Sequence, residues 1–238
     1  MSQALRELSS ETLADQAYEA IHRAIATGEL ARGTKITERG LAVDLGVSPT
    51  PVREALRRLE QDRLVERTGP RSVRVAQPEA GTVQELSMIQ SRLRSVAARL
   101  AATNATDADR REMARALDKA DAGMAAMPNQ PGADMRELSA AAQRVLAAVR
   151  EFHAIVDRAC ANEMLQHMLR MTEAFTTEDR QQALGRMVTA AEQGRITARY
   201  SQHREIYDAI VAGDGDRAEQ LMLSHIDDAA DYLIEHRA

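Results

Sequence analysis

The chain has 238 residues, of which 44% are hydrophobic and 28% charged, and its formal net charge is −5. These values are typical of a globular protein and exclude a disordered or fibrous one. The single cysteine, Cys160, lies in an apolar helical pattern, where we expect a buried side chain, and it excludes a disulfide within the chain. Because we find no run of 18 apolar residues and no signal-peptide pattern, we expect a soluble cytoplasmic protein without a membrane span.

The composition favours helices over sheet. Trp is absent, aromatic residues make up 3%, and Ala, Leu, Met, Arg and Glu are abundant. The charge is unevenly distributed, since residues 48–76 contain seven Lys or Arg and only four Asp or Glu. A local basic surface on an acidic protein can still bind DNA, because screening makes nearby charges matter most.

The first predicted helix follows Ser9 or Ser10, which can cap it, and ends at Gly28. Its apolar stripe is Leu13, Ala17, Ala20, Ile21, Ala24 and Ile25. Residues 29–36 form a short extended link, and Thr37 caps the helix that follows.

Residues 41–59 predict two short helices joined by a tight turn. Gly46 can adopt the positive φ that ends the first helix, and Ser48 is a favourable N-cap for the second. Pro49 and Pro51 fall in the first turn, where backbone N–H groups have no partner within the helix.

The second of these helices has two distinct faces. Val52, Ala55, Leu56 and Leu59 recur at helical spacing and face the core. Thr50, Arg53 and Arg57 share another face, which suits a phosphate backbone and guanine edges. The alternative is an ordinary amphipathic helix whose basic face is only solvated.

A two-stranded ribbon follows. Leu64-Val65 and Val73/Val75 are β-type, and they flank the turn signal Gly69-Pro70. A ribbon after a helix-turn-helix is a wing, and Gly69 and Arg71 at its tip can approach the DNA backbone or the minor groove.

Residues 11–76 resemble the winged helix-turn-helix of GntR-family bacterial transcription regulators. The resemblance rests on Ala24-Ile25, on Gly28-Glu29-Leu30 and on residues 46–60, which read Gly-Val-Ser-Pro-Thr-Pro-Val-Arg-Glu-Ala-Leu-Arg-Arg-Leu-Glu. The resemblance implies DNA contacts by Arg39, Thr50 and Arg53. The DNA-binding set that we predict is Arg39, Ser48, Thr50, Arg53, Arg57, Gly69 and Arg71. Many relatives carry an arginine at the Pro49 position, so one direct base contact is absent here.

The domain organisation that we expect is a DNA-binding domain over residues 1–76, a linker over residues 77–81 and an all-helical antiparallel bundle over residues 82–238. The chain is thus mainly α, with a small β-wing. The predicted helices of the second domain span 79–103, 107–127, 134–160, 162–183, 186–213 and 215–236.

Three histidines occur in segments that carry a recognisable sequence pattern. They are His153 in Phe152-His153, His203 in His203-Arg204-Glu205-Ile206-Tyr207, and His225 in Ser224-His225-Ile226. These segments resemble the FCD ligand-sensing domain of the FadR branch of GntR regulators. In much of that family the three histidines bind a divalent metal together with an Asp four residues before the first. Here that position is Val149, which cannot ligate, and Glu151 points elsewhere on the helix.

Two readings of the histidines remain open. Three neutral imidazoles can bind Zn²⁺, Ni²⁺ or a similar ion, with an open position for a ligand carboxylate. They can instead hydrogen-bond an organic anion directly. His22, His167 and His236 lack such context, and we expect them to be superficial or incidental.

The resemblance also suggests effector-binding residues. Relatives usually show an Arg followed four residues later by a Glu, and that Arg helps to hold an anionic ligand. This chain has Gln90 and Arg94 at those positions, so Arg94 is expected to take over the role, one turn along. The expected effector is a small carboxylic acid.

The sequence is compatible with three functions. The first is a ligand-responsive regulator, a homodimer that binds a pseudo-palindromic double-stranded operator and represses until an organic acid releases it. The second is a three-His metal hydrolase, against which stands the absence of HExxH and of a general base near the histidines. The third is a helical interaction protein with a vestigial effector pocket.

Overall fold

The computed structural model describes residues 12–77, 80–127, 135–172 and 193–235. The chain divides into two units, Met1–Glu79 and Ala80–Ala238, which are described separately below. The mainly helical architecture predicted from composition is confirmed. Within the described residues, every helix is too short or too polar to cross a membrane.

Residues 12–77 of the first unit form three helices and three strands. In chain order they are α1 (Leu13–Ala26), β1 (Lys35–Thr37), α2 (Glu38–Asp44), α3 (Pro49–Gln61), β2 (Val65–Gly69) and β3 (Ser72–Val75). Helix α1 packs on α3, and α2 packs on both α3 and β1.

Helix α1 begins with a capping box at Thr12 and Asp15. The predicted caps, Ser9 and Ser10, lie outside the described residues. The predicted apolar stripe was partly wrong, because Leu13 is 56% exposed while Tyr18 and His22 are buried. His22 was expected at the surface, but its ring stacks on that of Tyr18, with 6.0 Å between the ring centroids.

The turn between α2 and α3 forms as predicted. Gly46 has a φ of 66°, which only glycine adopts without strain. The predicted apolar face of α3 is fully buried, since Val52, Ala55, Leu56 and Leu59 each have 0% exposure. Burial of one such Val or Leu side chain contributes about 1.5–3 kcal/mol, so this face holds α3 in place.

Ser48 occupies the N-cap position of α3, but its side chain makes no capping hydrogen bond. The usual partner of an N-cap oxygen is the N–H of the third helical residue. That residue is Pro51, which has no N–H. Both prolines are tolerated in the first turn, as predicted, but the second one removes the cap that Ser48 was expected to make.

The wing has three strands rather than the two that we predicted. The strand order is β1-β3-β2, and both pairings are antiparallel. Residues 35–37, expected as an extended link, pair with residues 72–74. Ile36 is 7% exposed, so burial of this one side chain accompanies the pairing. The β2–β3 register is irregular between Arg67 and Gly69.

The second unit is helical throughout its described part. Its helices are α4 (Ala80–Asn104), α5 (Asp107–Ala125), α6 (Met135–Ala159), α7 (163–172), α8 (Gln193–Val211) and α9 (Gly215–Glu235). These bounds agree with the predicted spans within a few residues wherever both are described. Residues 173–192, over which two further helix ends were predicted, lie outside the described residues.

The core of this unit is formed by pairs of long helices. Helix α4 packs along α9, and α5 packs along α6. Phe152, Met222 and Ile206 are completely buried in the main cluster, and Cys160 is buried in a smaller one, as predicted. At Gly123 the helices come so close that an added Cβ would lie 2.7 Å from Cγ2 of Val145. A larger residue there would push α5 away from α6.

The start of α1 predicts an acid-sensitive contact. Backbone and hydroxyl hydrogen bonds from Thr12, followed by the hydrogen bond from Arg58, lower the pKa of Asp15 from its ordinary value to about 2. Because the folded pKa lies below the unfolded one, the contribution of Asp15 to stability is present above about pH 4 and is lost as the pH falls towards about 2. We expect Asp15→Asn to lower the melting temperature at neutral pH, and this difference from wild type to disappear by about pH 2.

Calorimetry of the full chain across this pH range measures the effect. Glu29→Gln is the matched control, because it removes one negative charge from an exposed loop residue. A difference for Asp15→Asn that stays constant from neutral to acid pH would contradict the assignment.

Candidate functional site

The predicted DNA-binding residues of the first unit lie on its surface. Arg39, Ser48, Thr50, Arg53, Arg57 and Arg71 are exposed, and Gly69 is half-buried. Thr50, Arg53 and Arg57 lie on the side of α3 that is not packed into the core. Ser48, whose hydroxyl makes no capping hydrogen bond, is exposed at the N-terminus of the same helix.

Glu38, the first residue of α2, contacts two of the predicted arginines, the side chain of Arg53 and the backbone of Arg71. Arg53 Nε donates a hydrogen bond to Glu38 Oε2 at 3.0 Å. The backbone N–H of Glu38 donates to the carbonyl oxygen of Arg71 at the wing tip, at 3.1 Å. Arg39 is the next residue in α2. Arg57 lies one turn further along α3 from Arg53 and shares no hydrogen bond with this group in the described part of the chain.

The two strands approach each other closely at the wing tip. A Cβ at Gly69 would lie 2.9 Å from the Oγ of Ser72, a side-chain atom that can rotate away. The hydroxyls of Thr68 and Ser72 lie 3.1 Å apart across the ribbon. Arg71 is thereby held at an exposed tip, with its backbone carbonyl bonded to α2.

In the second unit, α6, α8 and α9 bring the three predicted histidines together. Potential ligand nitrogens of His153, His203 and His225 all lie within 4.8 Å of one another. His203 and His225 are each 4% exposed, and the ring centroids of these two lie 4.2 Å apart. Phe152 packs edge-on against both His153 and His203 and forms an apolar wall.

The hydrogen bonds of two rings decide which nitrogen faces the cluster. His203 Nδ1 lies 3.1 Å from the carbonyl oxygen of Tyr200, and His225 Nδ1 lies 2.9 Å from Oε1 of Gln202. Both oxygens only accept, so each Nδ1 carries a hydrogen, and each Nε2 of the neutral ring has a lone pair. This arrangement is typical of metal-binding histidines.

The spacing of two of these nitrogens fits one ion. His203 Nε2 and His153 Nε2 are 3.2 Å apart. Two nitrogens bound at about 2.0–2.1 Å to one tetrahedral Zn²⁺ would be about 3.3 Å apart. The donor set and its geometry therefore fit a divalent metal held by His153, His203 and His225, which would polarise a ligand oxygen at its open position.

Among the residues that the structure describes, no carboxylate joins the three histidines as a possible ligand. Val149 packs with Ala120, Val145, Ala148 and Tyr200 in an apolar cluster. Glu151 forms an ion pair with Lys119 at 2.8 Å, away from the histidines as expected. Burial raises the pKa of Tyr200, and Asp121 raises it further, so its hydroxyl stays protonated and donates to the carbonyl of Leu117 at 2.8 Å.

Both predicted effector-binding residues, Gln90 and Arg94, are buried in α4. Arg94 makes a two-pronged ion pair with Asp157 of α6, with a shortest distance of 2.8 Å between Nη2 and Oδ2. Asp157 thus compensates the charge that Arg94 was expected to offer to an anionic ligand. Sequence reasoning missed this pair, because the two residues are 63 positions apart.

Sequence reasoning also missed Glu38, Gln202 and Tyr200, which orient predicted site residues. Glu38 was visible as an acidic residue in the first turn of α2. Gln202 and Tyr200 precede His203 in the same helix, but a side chain before a histidine gives no signal of its own.

Comparisons with known proteins agree with both units. The model of bacterial regulatory proteins of the GntR family matches residues 13–75, and the model of the FCD domain matches residues 85–228. A relative from Paenarthrobacter nicotinovorans, named a probable transcriptional repressor of a D-xylose utilization operon, is 31% identical over 222 residues, covering 93% of this chain and 88% of the relative. The transcriptional regulator LutR of Bacillus subtilis is 26% identical over 225 residues, covering 88% of this chain and 95% of LutR.

Solved structures show the same fold. The E. coli protein McbR/YncC superposes with a TM-score of 0.71 at 19% identity, over 95% of this chain and 99% of that one. A GntR transcriptional regulator from Rhodococcus sp. RHA1 superposes with a TM-score of 0.59 at 24% identity, over 94% and 99% of the two chains.

A winged helix-turn-helix joined to a helical domain with a histidine cluster defines a DNA-binding transcription regulator. The chain belongs to the GntR family, in the FadR-like group whose C-terminal domain is an FCD domain. This is a family of regulators and not of enzymes, so the hydrolase alternative is wrong.

The histidine cluster predicts metal retention. We expect the full chain, loaded with Zn²⁺ or Ni²⁺ and then dialysed, to keep about one ion per chain, and His203→Ala to lose it, because this substitution removes a buried ligand nitrogen. Elemental analysis measures the ratio. His167→Ala is the control, because His167 is half-buried in α7 outside the cluster. Retention by His203→Ala equal to wild type would show that the ion binds elsewhere.

Proposed function

We propose that this chain is a sequence-specific repressor that binds a pseudo-palindromic operator as a homodimer and is released by a small carboxylic acid. The supporting observation is the two-faced helix α3. Its apolar face is fully buried, whereas Thr50, Arg53 and Arg57 are exposed on its first three turns. A helix held this way can present its N-terminal side chains to base edges in the major groove.

The proposed DNA contacts divide into two kinds. Arg39, Thr50 and Arg53 read bases, with Arg53 suited to guanine O6 and N7. Ser48, Arg57, Gly69 and Arg71 contact sugar and phosphate, which sets register and affinity but carries little sequence information. Repression is the proposed direction because the Paenarthrobacter relative is named a repressor.

The proposed effector site follows from the charges of the second unit. Asp157 already pairs with Arg94, so a metal held by His153, His203 and His225 is the group that we propose to bind the effector carboxylate. Zn²⁺ or Ni²⁺ suits three imidazole ligands and leaves a position for oxygen. A coupling of about 1–3 kcal/mol between this site and DNA would change operator affinity by roughly 5–150-fold.

Operator binding tests the DNA-reading surface. A duplex selected by the wild-type chain from a random library serves as the probe, and a scrambled duplex of the same composition serves as the reference. We expect Arg53→Ala to weaken binding to the selected duplex by about 1–3 kcal/mol, or roughly 5–150-fold, and to relax the preference at one base position. Titrations at fixed salt measure both affinities.

Arg115→Ala is the control for the loss of one positive charge, because Arg115 is exposed in α5 of the other unit. Wild-type affinity of Arg53→Ala for the selected duplex would show that α3 does not read DNA in the proposed way.

Effector binding is tested by thermal shift on the zinc-loaded chain with a panel of small carboxylic acids and their amides. An acid at about 100 times its Kd should add roughly 2.7 kcal/mol of stability and release the selected duplex, while its amide should not. His203→Ala should abolish the response. D-xylose belongs in the panel because of the name of the Paenarthrobacter relative. A response to the sugar and to no acid would contradict the carboxylate assignment, and no response at all would favour the interaction protein with a vestigial pocket.

A further inference from the structure

The carboxylate of Glu38 is the least exposed charged group in the DNA-binding surface. Its side chain is 3% exposed, whereas that of its partner Arg53 is 45% exposed. Oxygen Oε2 of Glu38 accepts from Nε of Arg53 at 3.0 Å and lies 3.0 Å from its Nη2. A buried carboxylate without a cation is strongly unfavourable, so this contact restrains where Arg53 can lie.

The contact uses one edge of the guanidinium and leaves another available. Arginine has five N–H donors in a rigid planar fork. Nε and one donor of Nη2 face Glu38. The end of the fork, formed by Nη1 and the second donor of Nη2, faces away from Glu38. This end has the two parallel donors that match O6 and N7 of guanine.

Glu38 also connects the reading helix with the wing. Its second oxygen, Oε1, lies 3.8 Å from Nη1 of Arg67 in β2. Arg67 is itself bonded to Glu60 at the other end of α3, with 2.7 Å between Nη2 and Oε2. The backbone N–H of Glu38 bonds the carbonyl of Arg71 at the wing tip. The Glu38 side chain therefore hydrogen-bonds Arg53 and only approaches Arg67, whereas the bond to Arg71 of the wing is made by the backbone, which a side-chain substitution leaves in place.

We propose that Glu38 is a positioning residue for sequence reading, which holds the end of the Arg53 guanidinium in the orientation that recognises a guanine. The proposal rests on the proposed function of Arg53 as a base reader. Glu38 is negatively charged and repels phosphate, so it does not contribute to general DNA affinity. Its effect is on the ratio of affinities for specific and scrambled DNA, because base contacts specify whereas phosphate contacts position.

Glu38→Gln tests this in the full chain, with the selected duplex and its scrambled counterpart as probes. The variant keeps the shape of the side chain but replaces charge-assisted hydrogen bonds by weaker neutral ones. We expect the ratio of the two affinities to fall about tenfold. Binding to the scrambled duplex should stay the same or strengthen, since one negative charge near the phosphates is gone.

Glu60→Gln is the matched control. It removes the same charge from the same chain of ion pairs, but Glu60 bonds Arg67 and not Arg53. For Glu60→Gln, the ratio of the affinities for the selected and the scrambled duplex should stay within about twofold of the wild-type ratio. An equal fall for Glu60→Gln and Glu38→Gln, or equal weakening of both duplexes by Glu38→Gln, would show a structural role only and overturn the proposal.

A double-mutant cycle separates this proposal from the proposed function. If Glu38 acts through Arg53, Glu38→Gln should change the ratio no further in an Arg53→Ala background. A normal ratio for Arg53→Ala alone would refute the reader assignment. If Arg53→Ala lowers the ratio of specific to scrambled affinity but Glu38→Gln leaves that ratio at its wild-type value, only the positioning role of Glu38 is refuted. If Glu38→Gln does not fold by circular dichroism, Glu38→Asp replaces it, and a normal ratio for that shorter carboxylate would overturn the proposal.

Discussion

The burial of one carboxylate, that of Glu38, is the constraint on which the first unit depends. A charge that is removed from water must be paired, and here the pair is formed by Arg53 from α3, with Arg67 of the wing nearby. The apolar face of α3 sets the distance of the helix from the core, but apolar packing is not directional. The ion pair adds direction, because a guanidinium donates its hydrogen bonds to a carboxylate in the plane of the guanidinium.

The second unit uses hydrogen bonds in the same way, to orient imidazoles. The carbonyl of Tyr200 and the amide oxygen of Gln202 hold Nδ1 of two histidines, so that their lone pairs face the cluster. Val149, at the position where the resemblance implied an Asp ligand, packs against an apolar cluster. Potential ligand nitrogens of the three histidines still lie within 4.8 Å of one another, and the 3.2 Å between Nε2 of His153 and Nε2 of His203 suits one ion.

Periodicity explains why so much was predictable. The buried face of α3, the positive φ of Gly46 and the bounds of most helices follow from local patterns, and all were confirmed. The predictions that were wrong have local causes in one case and non-local causes in another. The missing Ser48 cap could have been foreseen, because Pro51 has no N–H to donate. The third strand could not, since residues 35–37 become a strand only through pairing with residues 72–74.

The sequence by itself determined the class of protein, because helix periods, turn glycines and the identities of the histidines are local properties that the chain carries into any fold. Only the tertiary structure decided how charges and rings are paired. Glu38 meets Arg53 across 15 positions, and Arg94 meets Asp157 across 63. Such contacts depend on how the helices pack, and packing depends on many side chains at once. The orientation of the proposed DNA-reading side chain and the charge of the proposed effector site therefore follow only from the tertiary structure.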